Sequence, residues 1–140
     1  MRVVLDTNIF IGACLGVGPA RKVVDACLDG DLTPLMSQAL INEIESVLGR
    51  AGLFESCRLS LEERLDLLDI YLARCEWCKI HFTWRPNLKD EADNHLMELA
   101  VAGSANAIVT RNLRDFRFAQ LKFLGVRICD PEQILRELEP

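Results

Sequence analysis

The sequence predicts an α/β domain in which a central parallel β-sheet is flanked by α-helices. Three observations lead there. Short, fully apolar runs of strand length alternate with longer stretches of helical periodicity. Capping residues stand at the starts of several of those stretches. The composition is ordinary for a globular chain: of 140 residues, 50% are hydrophobic and 26% charged. A chain of this length buries roughly 68% of its unfolded surface, enough to fold without a covalent staple.

The elements follow in order. Val3–Leu5 is a short strand apolar on both faces, the pattern of a strand covered by helices. A Gly-containing connection then leads to a helix with Pro19 near its first turn. Leu35–Met36 is a second strand. Ser37 caps the helix that follows, which runs to about Leu48 and ends at Gly49. Ser60 and Glu63 have capping-box spacing and open a third helix, with an apolar stripe of Leu61, Leu65, Leu68 and Leu72. A strand is expected from about Cys78 to Phe82, before the loop Thr83–Asn87. Asp90 caps a helix carrying Leu96, Met97, Ala100 and Val101. Ala107–Val109 and Val126–Cys129 are further buried strands, and Asp130 with Pro131 opens a closing helix. No repeat, low-complexity segment or linker divides the chain, so residues 1–140 read as one domain.

Charge and composition bound the function. Sixteen basic against twenty-one acidic residues give a net charge of −5, which excludes a binder that works through overall positive charge. No apolar run approaches the ~20 residues that span a bilayer. Ile9–Val17 lacks the basic lead and unbroken apolar core of a leader peptide, so a cytoplasmic protein is expected. Of six cysteines, only Cys75 and Cys78 have metal or redox spacing, and no second pair completes a zinc site. They read as reduced thiols.

The acids are where the pattern breaks. Ligand sites in open parallel sheets form beyond the carboxyl ends of the strands. Asp6 directly follows Val3–Leu5, and Asp115 lies five residues past the strand ending near Thr110. Glu43 stands three residues after Leu40 and four before Val47, on the edge of its helix's apolar face. Asp93 has Leu96, Met97 and Ala100 at i+3, i+4 and i+7, so it projects from a buried stripe.

A core-facing carboxylate costs several kcal/mol unless paired, and no arginine falls on the same faces. A divalent cation neutralises several such groups at once. Oxygen ligands without His or Cys point to Mg²⁺ or Mn²⁺. Bland roles compete: Asp6 capping a turn through Thr7 and Asn8, Glu43 as a wet helix flank, Asp115 capping a turn. His81 and His95 show no acid–base constellation, and His95 lies opposite the middle of its helix's apolar stripe, facing solvent. Arg111, Arg114, Arg117, Lys122 and Arg127 cluster around Asp115, and Arg85 and Lys89 precede Asp93. Arg85, Lys89, Arg111 and Arg114 are candidates for phosphate contacts beside the acids.

Asp6–Thr7–Asn8 after an apolar strand, Glu43, Asp93 opening Asp–Asn–His–Leu–Met–Glu–Leu–Ala, and Thr110–Arg–Asn–Leu–Arg–Asp115–Phe116 together resemble the PIN-domain family. The resemblance covers nearly the whole chain in order and spacing. It implies a metal-dependent ribonuclease, often the toxin of a toxin–antitoxin pair, leaving 5′-phosphate and 3′-hydroxyl ends. It implies Mg²⁺ or Mn²⁺ on the acids matching Asp6, Glu43, Asp93 and Asp115, oriented by Thr7, Asn8 and Thr110. It also implies an RNA substrate, a cognate antitoxin protein and a homodimer. Asn112 stands where many relatives carry Asp, which leaves fewer negative charges for a second metal. On sequence alone two other readings stay open, a PIN-fold scaffold without turnover and a small-molecule phosphohydrolase using the same acids.

Overall fold

A computed structural model describes residues 1–16, 18–80, 94–113 and 125–140. The expected loop Thr83–Asn87 and the expected cap Asp90 lie outside these residues. Among the described residues the strands are β1 (Arg2–Leu5), β2 (Thr33–Met36), β3 (Glu76–Trp77), β4 (Ala107–Val109) and β5 (Arg127–Cys129). The helices are α1 (Thr7–Leu15), α2 (Pro19–Asp29), α3 (Gln38–Leu48), α4 (Leu61–Arg74), α5 (Asn94–Ala102) and α6 (Pro131–Leu138). The strands form a sheet of order β3-β2-β1-β4-β5 in which every pair is parallel. This is the α/β architecture that the alternating pattern predicts.

Three of the predicted caps form as their spacing requires. The Ser37 hydroxyl accepts from the Leu40 N–H at 3.2 Å. Ser60 and Glu63 complete a reciprocal capping box, as do Asp130 and Gln133. Each satisfies N–H groups that a helix leaves without internal partners. Gly30 ends α2 at φ +90°, where its N–H reaches the carbonyls of Ala26 and Cys27. A side chain there would be strained.

Three expectations need correction. The connection after β1 is the helix α1, and it is buried nearly all round: Ile9, Phe10, Ile11, Ala13 and Cys14 are all in the core. A helix with no wet face shows no 3.6-residue periodicity. Its Gly12 serves packing, because a Cβ there would stand 3.2 Å from the Ala20 Cβ of α2. On α4, Leu61 and Leu65 are 48% and 41% exposed, and the buried face is Arg64, Leu68 and Tyr71. Arg64 stays inside by laying its guanidinium 4.0 Å over the Phe54 ring and donating to the Leu59 carbonyl. Tyr71 packs its ring 5.3 Å from Phe10, joining α4 to α1. The third strand is Glu76–Trp77 rather than Cys78–Phe82, of which 81 and 82 lie outside the described residues. Cross-strand pairing with Leu35 and Met36 fixes its place.

The sheet and its helices share one core. It includes Val3, Val4, Leu35, Met36, Leu96, Met97, Ile108 and Val109, each at most 1% exposed. Helix α1 packs on α2 and α3, α2 on α4 and α6, and α5 against β1, β2, β4 and α3. All six cysteines are free thiols. Burial pushes Cys14 and Cys129 up to about 11 and Cys75 to about 12. These thiols stay protonated and behave as small apolar groups. No helix among the described residues is long and apolar enough to cross a membrane.

Candidate metal centre at the carboxyl ends of the strands

The strand registers bring one residue from each strand's end into a row. Leu5 lies beside Val109, Val109 beside Cys129, and Met36 beside Trp77. The residues that follow are Asp6, Thr110, Asp130, Ser37 and Cys78, the rim at which a parallel sheet accepts ligands. Asp6 is central because β1 is the middle strand.

Asp6 is only 4% exposed. Its Oδ2 accepts 2.7 Å from the Thr110 hydroxyl, which is fully buried, and 3.3 Å from the Asn8 side-chain amide. Thr110 is held in turn: its Oγ1 accepts from the Asn112 main-chain N–H at 3.0 Å. Asn112 therefore supports the site through its backbone. Asp6 precedes α1 in extended backbone and makes no side-chain cap bond further into that helix, while its carboxyl also meets the Thr7 main-chain N–H. Burial pushes the Asp6 carboxyl above its ordinary range. The Thr110 hydrogen bond opposes that shift, and the nearby Glu43 charge adds to it.

Glu43 sits half-buried on α3, at the edge of its apolar face as its spacing predicts. Its partner is one the sequence reading assigned to solvent. His95, in the first turn of α5, donates from Nε2 to Glu43 Oε2 at 2.6 Å, with its side chain 17% exposed. The two residues are 52 apart in the chain, and no local pattern signals such a pair. His95 also acts on Asp6, drawing its carboxyl downward. Glu43, His95 and Asp6 therefore form one electrostatic group, anchored by three different elements.

Asp93, Asp115, Arg85, Lys89 and Arg114 lie outside the described residues. Arg111, expected as a free phosphate contact, donates to Glu132 of α6 at 3.1 Å, and Arg127 pairs with Glu137. Part of the basic cluster is thus spent tethering the closing helix, which follows β5 directly and carries Glu132 and Glu137.

Among the described residues no three Asp, Glu, His or Cys side chains stand close enough to hold an ion. Of the four candidate acids, Asp6 and Glu43 are the two that lie among the described residues. Two oxygens beside them, Thr7 Oγ1 and Asn8 Oδ1, are buried without a hydrogen-bond partner among the described residues. Buried polar atoms seldom stay unpaired. A buried carboxylate, a second acid within its field and spare neutral oxygens make a donor set that fits a hard divalent cation.

A family model described as PIN domain matches residues 2–114. No curated protein sequence matches the chain. In three dimensions the chain is similar to one from the crystal structure of VapBC2 from Rickettsia felis bound to a DNA fragment from their promoter. The TM-score is 0.61 at 17% identity, over 93% of this chain and 98% of that chain. At that identity the likeness carries the fold alone.

Proposed function

The chain belongs to the PIN-domain family, a family of nucleases, and from that premise we propose that residues 1–140 form a divalent-metal-dependent endoribonuclease. The observation that carries this reading is the buried Asp6 carboxylate at the end of β1, fixed by Thr110 and Asn8 with Glu43 beside it. Asp6 and Glu43, with Asp93 and Asp115, would hold Mg²⁺ or Mn²⁺. When bound, such an ion supplies a water of lowered pKa and offsets charge on the phosphate.

The chain's own residues divide the remaining work. Thr110 keeps one Asp6 oxygen in place through a hydrogen bond that burial makes hard to replace with water. His95 orients Glu43 by holding a proton between Nε2 and Oε2. Because these supports come from α3, α5, β1 and β4, the two acids arrive already positioned rather than being gathered by substrate.

The partner and compartment belong to the same proposal. The VapBC2 structure is of a complex bound to promoter DNA. By analogy this chain is the toxin of a toxin–antitoxin pair, cytoplasmic, homodimeric and held inactive by a cognate antitoxin protein. The deciding experiment incubates the purified chain with a mixed RNA pool and with DNA of the same sequence, in Mn²⁺ and in EDTA. Cleavage of RNA that needs Mn²⁺ and is lost in Asp6→Asn is the expected result. Absence of any metal-dependent cleavage would refute the reading.

A further inference from the structure

A cleft of about 710 Å³ opens beside the acids, at the edge of the sheet. Its floor is the first turn of α3, with Gln38 and Ala39. Trp77, Cys78, Lys79 and Ile80 line one side, and His95 and Glu98 of α5 line another. That volume lies in the range of sites that enclose a small organic group. His95 is the same residue that holds Glu43, so the cleft and the candidate metal centre share a wall.

Trp77 is the unexplained part of this cleft. It is the last residue of β3, at the edge of the sheet, and 52% exposed. Tryptophan is among the most buried residues on average, because its indole removes a large apolar area from water. Here an indole stands out of the core, in a concavity whose other side chains are mixed: an aliphatic group, an amide, a thiol, a cation, an imidazole and the Glu98 carboxylate among them. The Gln38 amide is fixed there by donating to Asn42 Oδ1 at 2.9 Å.

We propose that this cleft is a nucleobase subsite for single-stranded RNA, with Trp77 as the stacking platform. The inference rests on the nuclease reading and names how that enzyme grips its substrate. A nucleobase has an apolar face to stack on an indole and a polar edge that an amide can meet. Exposed Lys79 at the same mouth suits the phosphate attached to it. A protein partner burying a tryptophan anchor would call for an apolar surround, whereas this one is mixed and concave. In the sheet register, Cys78 after Trp77 and Asp6 after Leu5 are two strands apart, roughly 10 Å between main chains. A nucleotide held at Trp77 would therefore leave its neighbour within reach of the acids.

The test uses the whole chain and a short oligouridylate with a fluorescent end label. Binding is titrated in EDTA, where no metal-dependent cleavage interferes. Trp77→Ala is expected to bind roughly 5- to 150-fold more weakly, the range for losing one base–aromatic stack, while Trp77→Phe keeps most of the affinity. An oligouridylate carrying one abasic nucleotide at the stacked position should bind both wild type and Trp77→Ala equally, since the interaction is already absent. The chain has two tryptophans. In Trp84→Phe the Trp77 emission should be quenched as the RNA saturates. Trp77→Ala with a wild-type melting temperature, wild-type affinity and no abasic effect would overturn the subsite. If that wild type also cleaves RNA in Mn²⁺, the nuclease reading survives alone. Tryptophan-dependent RNA binding without metal-dependent cleavage would do the reverse, keeping the subsite and refuting the nuclease. Loss of antitoxin binding in Trp77→Ala with RNA affinity untouched would give this face to a protein partner and also overturn the subsite.

Discussion

Thr110→Val separates the site's architecture from its chemistry. Valine keeps the β-branched shape at a fully buried position and removes only the hydroxyl. Asp6 Oδ2 then loses its 2.7 Å donor, and a hydrogen bond to a charged group is worth about 1.5–3 kcal/mol. The Asn112 N–H loses its acceptor, at about 1 kcal/mol. The added methyl regains about 0.8 kcal/mol of burial. The net expectation is a loss of about 2–3 kcal/mol at neutral pH without metal, or about 6–9 °C in melting temperature for a chain of this size.

The loss should depend on pH, with a definite sign. Asp6 has a folded-state pKa raised above its unfolded value, so its ionised form costs stability above that folded pKa and ceases to do so below it. Thr110 opposes the shift, so Thr110→Val raises the Asp6 pKa further. The deficit is therefore full near neutrality and shrinks as pH falls through the folded pKa, where a protonated carboxyl no longer needs the donor. Urea unfolding of both proteins at neutral pH, and again near pH 3, measures it. A deficit under about 0.5 kcal/mol, or one equal at both pH values, would show that Thr110 does not hold the charged form of Asp6.

Four further outcomes are expected. Asp6→Asn removes a buried charge facing Glu43, so it should melt higher than wild type in EDTA at neutral pH, with the gap closing as the solution is acidified; it should also lose the stabilisation of about 2.7 kcal/mol that Mn²⁺ at a hundredfold excess over its Kd gives wild type. His95→Ala leaves Glu43 without its 2.6 Å partner, and calorimetric titration with Mn²⁺ should show affinity reduced about 10- to 100-fold, as when a ligand loses its orienting group. Arg111→Ala breaks an exposed pair with Glu132 worth at most about 1 kcal/mol; a log–log salt slope for RNA binding unchanged from wild type would confirm Arg111 as a tether for α6 rather than a phosphate contact. Gly103→Ala would set a Cβ 2.5 Å from Leu35 Cδ1 and 2.8 Å from Cys78 Sγ, and because Leu35 is fully buried the overpacking should cost about 1–3 kcal/mol by denaturant unfolding.

Features whose causes are local could be read directly from the residues. Ser37, Ser60 with Glu63, and Asp130 with Gln133 cap their helices because donor and acceptor are three residues apart. Val3–Leu5 and Ala107–Val109 read as strands because a run this short and apolar on both faces fits a strand covered by helices. The places of Asp6 after the first of these strands and of Glu43 at the edge of its helix were legible in the same way, whereas Thr110 entered as a candidate only through the family resemblance. The remaining features depend on how distant segments pack. Helix α1 has no wet face, so its sequence carries no period to read. Helix α4 turns Arg64 inward and Leu61 and Leu65 outward because Phe54 and the Leu59 carbonyl offer the guanidinium a partner. Strand β3 exists through its pairing with β2. The contact of His95 with Glu43, and of Arg111 with Glu132, joins residues 52 and 21 positions apart. A hydrogen bond of that span depends on where packing carries two elements, and local spacing holds no record of it.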